Sequence, residues 1–168
     1  MNQASMPLWQ PSKKRIAATR LTAFAKAAEK RWNRRLASAD YSTLHAWSID
    51  QPEEFWVSVW EQCDVIGDMG TTVVTDRERM PGARWFPEAK LNFAENLLCR
   101  PMVGDALVFW GEDKVRGSVS HAELYQAVAQ TAAALRALGV VRGDRVAAYL
   151  PNLPATVVAM LAAASIGA

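Results

Sequence analysis

Two histidines, two cysteines and a few adjacent acids are the side chains of this 168-residue sequence best suited to proton, metal or acyl chemistry. His45 lies between Leu44 and Trp47, in what reads as an extended approach to a helix, a packed or hydrogen-bonded position rather than a catalytic one. His121 follows Ser120, a helix-capping serine, which predicts a solvent-facing place in a first turn. Cys63 and Cys99 are far apart and form no C-x-x-C, so zinc and dithiol readings fail, and both read as ordinary core residues of a reduced protein. Glu53 with Glu54, and Glu112 with Asp113, are neighbours in sequence. Adjacent acids suit caps and turns, whereas an acid/base pair needs separated carboxyls facing one cleft. No Ser/His/Asp or Cys/His constellation follows from the spacing. "GVVRGD" holds two glycines but leaves a helix and enters a strand, the reverse of a phosphate-binding loop. The residues therefore assign no catalytic, no cofactor-binding and no metal-ligating position.

Composition bounds the rest. Apolar residues make up 51% of the chain, enough for a core, and the net charge is only +2. The charge is uneven: residues 1 to 40 hold nine Lys/Arg against Glu29 and Asp40, and the remainder holds ten against fifteen acids. A solvated helix face explains the basic stretch; it lacks the aromatic interleaving of a single-strand binder, and no DNA-binding motif is present, so no nucleic-acid partner is expected. The first twenty residues lack the apolar core of a signal peptide. The run from Leu153 to Ala168 is short of the about 20 residues a bilayer span takes, and Pro154 breaks its start. A cytoplasmic protein without a membrane partner is the expectation.

These side chains must be held by helices in the first half. Leu21, Phe24, Ala25, Ala28 and Trp32 recur at helical spacing from Arg20 to Leu36, with Thr19 as N-cap. Asp50 and Glu53 read as an acidic capping box with Pro52 in the first turn, opening a helix that carries Phe55, Trp56, Val59, Trp60 and Cys63 and ends near Gly67. Residues 69–101 read as an irregular linker, with a short helix from Asn92 to Leu98. The texture then changes. "ALVFW" and "SVS" predict a hairpin around "GEDKVRG"; Ser120 and Glu123 form a capping box on a helix with Leu124, Val128, Ala132, Leu135 and Leu138 on one stripe; Gly139 ends it. "RVAAYLP" reads as a parallel strand covered on both faces, and a helix follows from Pro154 through Ile166 to Gly167, apolar nearly all round and so expected to be buried on several sides. The fold class is α/β: a helical, Trp-rich extension followed by hairpin, helix, parallel strand and helix. The order implies a further parallel strand, so the sequence reads as the opening of a larger α/β domain.

Five ordered blocks, "PLWQPS", "YSTLHAWSIDQPEEFWVSVWE", "ARWFPEAKLNFAENLL", "GDRVAAYLPN" and "AMLAAASIGA", carry a resemblance that spans essentially the whole chain. It resembles the acyl-CoA synthetases of the AMP-forming adenylating superfamily, and within them the acetoacetate–CoA ligases, which "PLWQPS" and "AAASIGA" favour over acetate or propionate enzymes. The resemblance implies residues 1–102 as an N-terminal extension and 103–168 as the beginning of the AMP-binding domain. It implies a ligase using ATP, Mg²⁺, CoA and acetoacetate. The family's phosphate loop, S-S/T-G-T-T-G-x-P-K, its adenine and ribose motifs and its catalytic lysine are absent from these residues. None of those cofactors is therefore expected to bind these residues alone, which are expected to be inactive and to present apolar surface able to self-associate. A partner-binding module without catalysis is the rival reading.

Overall fold

The computed structural model describes residues 8–36, 40–99, 102–112 and 114–168. In chain order the elements are α1 (Lys13–Ala17), α2 (Arg20–Trp32), α3 (Tyr41–Asp50), α4 (Pro52–Gln62), β1 (Gly67–Asp68), β2 (Val74–Thr75), β3 (Arg84–Trp85), β4 (Lys90–Leu91), α5 (Phe93–Leu98), β5 (Asp105–Gly111), β6 (Val115–Ser120), α6 (His121–Ala137) and α7 (Pro154–Ile166). They form two compact units: the chain up to Val65 with Met69–Glu88, and Ile66–Asp68 with Ala89–Ala168.

The first unit is helical. Thr19 caps α2 by accepting from the Thr22 N–H at 3.2 Å. The helix stops at Trp32 instead of Leu36, because Asn33 takes a left-handed conformation (φ 51°) and returns its N–H to Glu29. The predicted stripe is the buried one, apart from Leu21, which is exposed. It packs as Ala25 and Ala28 with Leu36, Leu44 and Trp47, under Phe24, Trp32 and Phe55. Two of the basic side chains on α2 and its exit are paired: Arg31 with Glu61 at 2.7 Å, and Arg34 in a two-pronged contact with Glu54 at 2.6 and 2.7 Å. That fork is the first cause holding the Glu54 carboxyl below its ordinary range.

α3 corrects the sequence reading. His45 sits on a helix, exposed and stacked on Tyr41 at 5.9 Å, not in an extended segment. The helix forms because Asp40 caps it, taking the Thr43 N–H at 2.9 Å. Asp50 is then the last residue of α3 and cannot cap α4, so the expected Asp50–Glu53 box is replaced by Gln51 with no side-chain cap. Pro52 does occupy the first turn of α4. α4 ends at Gln62, ahead of the expected Gly67, where the backbone turns left-handed at Asp64 (φ 48°). Its buried positions are Pro52, Val57 and Ser58 rather than the aromatic stripe. Ser58 is tolerated there because its hydroxyl accepts from the Trp32 indole N–H and donates to the Glu54 carbonyl, both at 2.8 Å.

The stretch read as an irregular linker holds small antiparallel pairs, among them β2–β3 (Val74 opposite Trp85); Pro101, its expected end, lies outside the described residues. Here Glu88 closes a loop. One carboxylate oxygen takes the Thr71 N–H (2.8 Å), the Thr71 hydroxyl (2.9 Å) and the Thr72 N–H (3.3 Å), and the other takes the Thr72 hydroxyl (2.9 Å). Gly70 (φ 75°) allows the approach, since a Cβ there would lie 2.6 Å from the Glu88 Cβ. The bonds, first of all the one from the Thr71 N–H, lower the Glu88 pKa from its ordinary 4.5 to about 2. A depressed carboxyl adds stability above the unfolded value and loses it as pH falls toward the folded one. Glu88→Gln is therefore expected to reduce stability at neutral pH and to flatten the pH dependence between 4.5 and 2. Urea midpoints of the two proteins across that window check this; parallel curves would refute it.

In the second unit β5 and β6 form the expected antiparallel hairpin (Leu107 opposite Val119, Phe109 opposite Gly117). The return strand begins at Val115, well before "SVS", so the turn is tighter than expected; Glu112 is left-handed there (φ 48°), and Asp113 lies outside the described residues. Arg116 crosses the Trp110 ring at 4.5 Å. The Ser120/Glu123 box has both halves, with Ser120 accepting from the Glu123 N–H (3.2 Å) and Glu123 accepting from the Ser120 N–H (2.8 Å). Gly139 (φ 90°) follows α6, and Gly167 (φ 86°) caps α7. The core is Ala94, Leu124, Val128, Ala132, Leu161 and Ala162.

Three expectations change. "RVAAYLP" pairs with no strand among the described residues, and every residue of it is exposed. A parallel strand exists only against an edge running its own way, and the described ladders are antiparallel two-stranded pairs. Helix α7 is covered on one side only: Leu161 and Ala162 are fully buried while Met160 is 54% exposed. Cys63 and Cys99 are exposed too, because each sits where α4 or α5 ends and the chain leaves its packed face.

Candidate functional site

A cleft of about 880 Å³ lies wholly in the second unit, walled by α5 and α6. Asn92 lines it, and Asn96, one helical turn on, holds the neighbouring Ile66. Asn92 caps α5 through the Glu95 N–H (3.0 Å) while its amide N–H donates to the Ala164 carbonyl (2.8 Å), tying α5 to the last turn of α7. Asn96 exchanges two 2.8 Å bonds with the backbone N–H and carbonyl of Ile66, in the manner of a ladder pair. Ala94, Leu98, Val128 and Ala132 line the cleft with apolar surface. Its ionisable lining is Glu95, Cys99, His121, Tyr125 and Arg136.

His121 is half-buried in this wall, not the solvent-facing residue the cap position suggested, and its backbone N–H donates to the Gly104 carbonyl (3.3 Å). Cys99 lies in the same lining, with its thiol donating to the Asn96 carbonyl at 3.3 Å. His45 and Cys63 belong to the other unit, as do Glu53 and Glu54. Glu54 is spent on Arg34 and on the Trp47 indole N–H (2.9 Å), and Glu112 is exposed in the hairpin turn. The sequence thus picked out His121 and Cys99 as chemical residues without bringing them together. It missed the cap at Asn92 and the anchor at Asn96, whose signal was two asparagines one turn apart at the start of the short helix.

The cleft does not fit a nucleotide. Its one always-charged cation is Arg136, in the last turn of α6, and the N-terminus of that helix, at the other end, is already taken by the Glu123 carboxylate. No step through ATP is derived from these residues. Among the described residues no group of three or more His, Cys, Asp and Glu could hold a metal ion, and no helix is long and apolar enough to cross a membrane.

Comparisons with known proteins give these elements a context. Residues 41–97 match the model described as the acetyl-coenzyme A synthetase N-terminus, and residues 100–168 match the AMP-binding enzyme model. An acetoacetyl-coenzyme A synthetase of Rhizobium meliloti is 46% identical over 166 residues, 99% of this chain and 25% of that protein. An acetyl-coenzyme A synthetase of Deinococcus radiodurans is 39% identical over 139 residues, 80% of this chain and 21% of its own length. The solved acetoacetyl-CoA synthetase of Streptomyces lividans superposes with a TM-score of 0.78 at 45% identity, over 96% of this chain and 25% of that one. The chain spans about a quarter of the length of the relatives it matches. By sequence and by fold, the chain is similar to one quarter of the acetoacetyl-CoA synthetases, and its second part matches the AMP-binding enzyme model.

Proposed function

We propose that this chain supplies the opening quarter of an acetoacetate–CoA ligase. In that reaction the carboxylate of acetoacetate attacks the α-phosphate of ATP, giving an acyl-adenylate and pyrophosphate, and the CoA thiol then displaces AMP to leave acetoacetyl-CoA. Mg²⁺ and a lysine offset charge on the phosphates in such chemistry. Residues 1–102 act as the N-terminal extension, and residues 103–168 open the AMP-binding domain. The enzyme works in the cytoplasm. The observation that carries this reading is 46% identity sustained over 99% of the chain.

Residues 1–168 contribute framework rather than chemistry. Asn92 and the Ser120/Glu123 box fix α5 and α6, and none of the family's phosphate, adenine or ribose motifs is among the residues present. The 168-residue chain is therefore expected to release no pyrophosphate from ATP with acetoacetate, against a full-length relative as positive control. Turnover by the chain alone would overturn the assignment of its role. An acetate or propionate enzyme is the second reading, favoured by the Deinococcus radiodurans relative at 39% identity.

A further inference from the structure

The loop that Glu88 closes has the make-up of a binding site with its ligand already in place. Gly70 turns left-handed (φ 75°), and the next two backbone N–H groups, of Thr71 and Thr72, converge on one carboxylate oxygen at 2.8 and 3.3 Å. Successive N–H groups in such a turn form a concavity of partial positive charge, a place where proteins hold anions. Two hydroxyls complete it. Thr71 donates to that same oxygen and Thr72 to the other, both at 2.9 Å, so each oxygen of a flat carboxylate is met by its own donors. Residue 70 must lack a side chain, since a Cβ there would lie 2.9 Å from the bound oxygen. Among the described residues no lysine, arginine or histidine pairs with this carboxylate. A cradle built of N–H and O–H groups alone suits a singly charged, two-oxygen anion; a phosphate would bring a second charge with no cation to meet it. Donors and carboxylate all belong to the first unit. The stretch they close lies on α4, with Trp85 against Trp56 at 6.0 Å and Phe86 against Trp60 at 5.2 Å.

We infer that the Gly70–Thr72 turn is a carboxylate-binding site that the chain occupies with its own Glu88, and that it takes a free small carboxylate once that side chain is cut back to its Cβ. Glu88 then acts as a tethered ligand: it locks the loop onto α4 and keeps the cradle closed to solutes. The length of the side chain names the probe. Glu88→Ala removes a CH2–COO⁻ group and leaves the Cβ, and acetate has the same two carbons and two oxygens.

An amide-resolved NMR titration of Glu88→Ala with sodium acetate, at ionic strength held constant with sodium chloride, tests it. The expected result is a saturable shift of the Thr71 and Thr72 N–H signals. The urea midpoint, lowered by the substitution, is expected to rise with acetate along the same binding curve. The unaltered chain and Glu88→Gln, whose cradles are filled, are expected to show neither response. Adding Thr72→Val to Glu88→Ala removes one donor to a charged group and should weaken acetate about tenfold. Inorganic phosphate should bind more weakly than acetate. Absence of saturation at Thr71 and Thr72 overturns the inference, and so does an equal response in the unaltered chain. Phosphate binding more tightly than acetate overturns the assignment to carboxylates. Should Glu88→Ala be unfolded in chloride alone, circular dichroism is expected to show it folding as acetate is added; a chain unfolded at every acetate concentration overturns the inference as well.

Discussion

Leu161→Ala is expected to lower the stability of the second unit by about 3 kcal/mol, read as a shift of the urea midpoint followed by far-UV circular dichroism. Leu161 is the largest side chain with no accessible surface, and it reaches from α7 into Leu124, Val128 and Ala132 of α6. Two of its core companions, Ala94 and Ala162, are already as small as side chains with a Cβ can be. They cannot reach into a hole left by three missing carbons, so collapse is limited and the cost of the cavity stays near the middle of the range for leucine truncation. Leu161→Met keeps the volume and should cost under about 1.5 kcal/mol. A loss below 1 kcal/mol for the alanine variant would mean that α7 does not rest on α6 in solution.

The counterpart in the first unit is Trp47. It is 6% exposed and sits between two phenylalanines, with ring centroids 6.3 Å from Phe24 and 5.6 Å from Phe55. Its indole N–H ends on Glu54, the same carboxylate that the Arg34 fork grips. Trp47→Ala should cost about 4 kcal/mol, since it opens the aromatic cluster and removes a donor together. Trp47→Phe separates the two effects: most of the packing survives and about 1 kcal/mol of hydrogen bonding is lost. Equal losses for the two variants in chemical denaturation would show that the hydrogen bond to Glu54, and not the ring packing, dominates.

What could be read from the sequence was what is decided within a turn or two of chain. The caps at Thr19 and Ser120, the glycines ending α6 and α7, and the α2 stripe are local devices, and each stands where its residues put it. α3 escaped because Tyr41–Asp50 carries serine and threonine early and an apolar face reduced to Leu44 and Trp47; only the Asp40 cap marks it. The capping box assigned to Asp50 failed for the same reason, since two helices compete for one residue and the earlier one takes it. "RVAAYLP" shows the opposite limit. Its residues favour a strand, but a strand also needs a neighbour, and that information lies elsewhere in the fold. The cleft was legible only in pieces, because Asn92 and Ala164 meet across a long stretch of intervening chain.

The small β1–β4 pair carries a practical consequence. Gly67 and Asp68 face Leu91 and Lys90, and the Asn96 side chain holds Ile66, so three residues from the middle of the helical segment complete the second unit. A Cβ at Gly67 would come within 2.7 Å of both the Leu91 Cβ and the Lys90 carbonyl oxygen, leaving no slack at that join. Anyone dividing the gene at Ala89 would therefore amputate a strand from the piece they meant to keep. The honest unit of dissection begins before Ile66, and a protein starting at Ala89 should regain order only when a peptide spanning Ile66–Asp68 is restored to it.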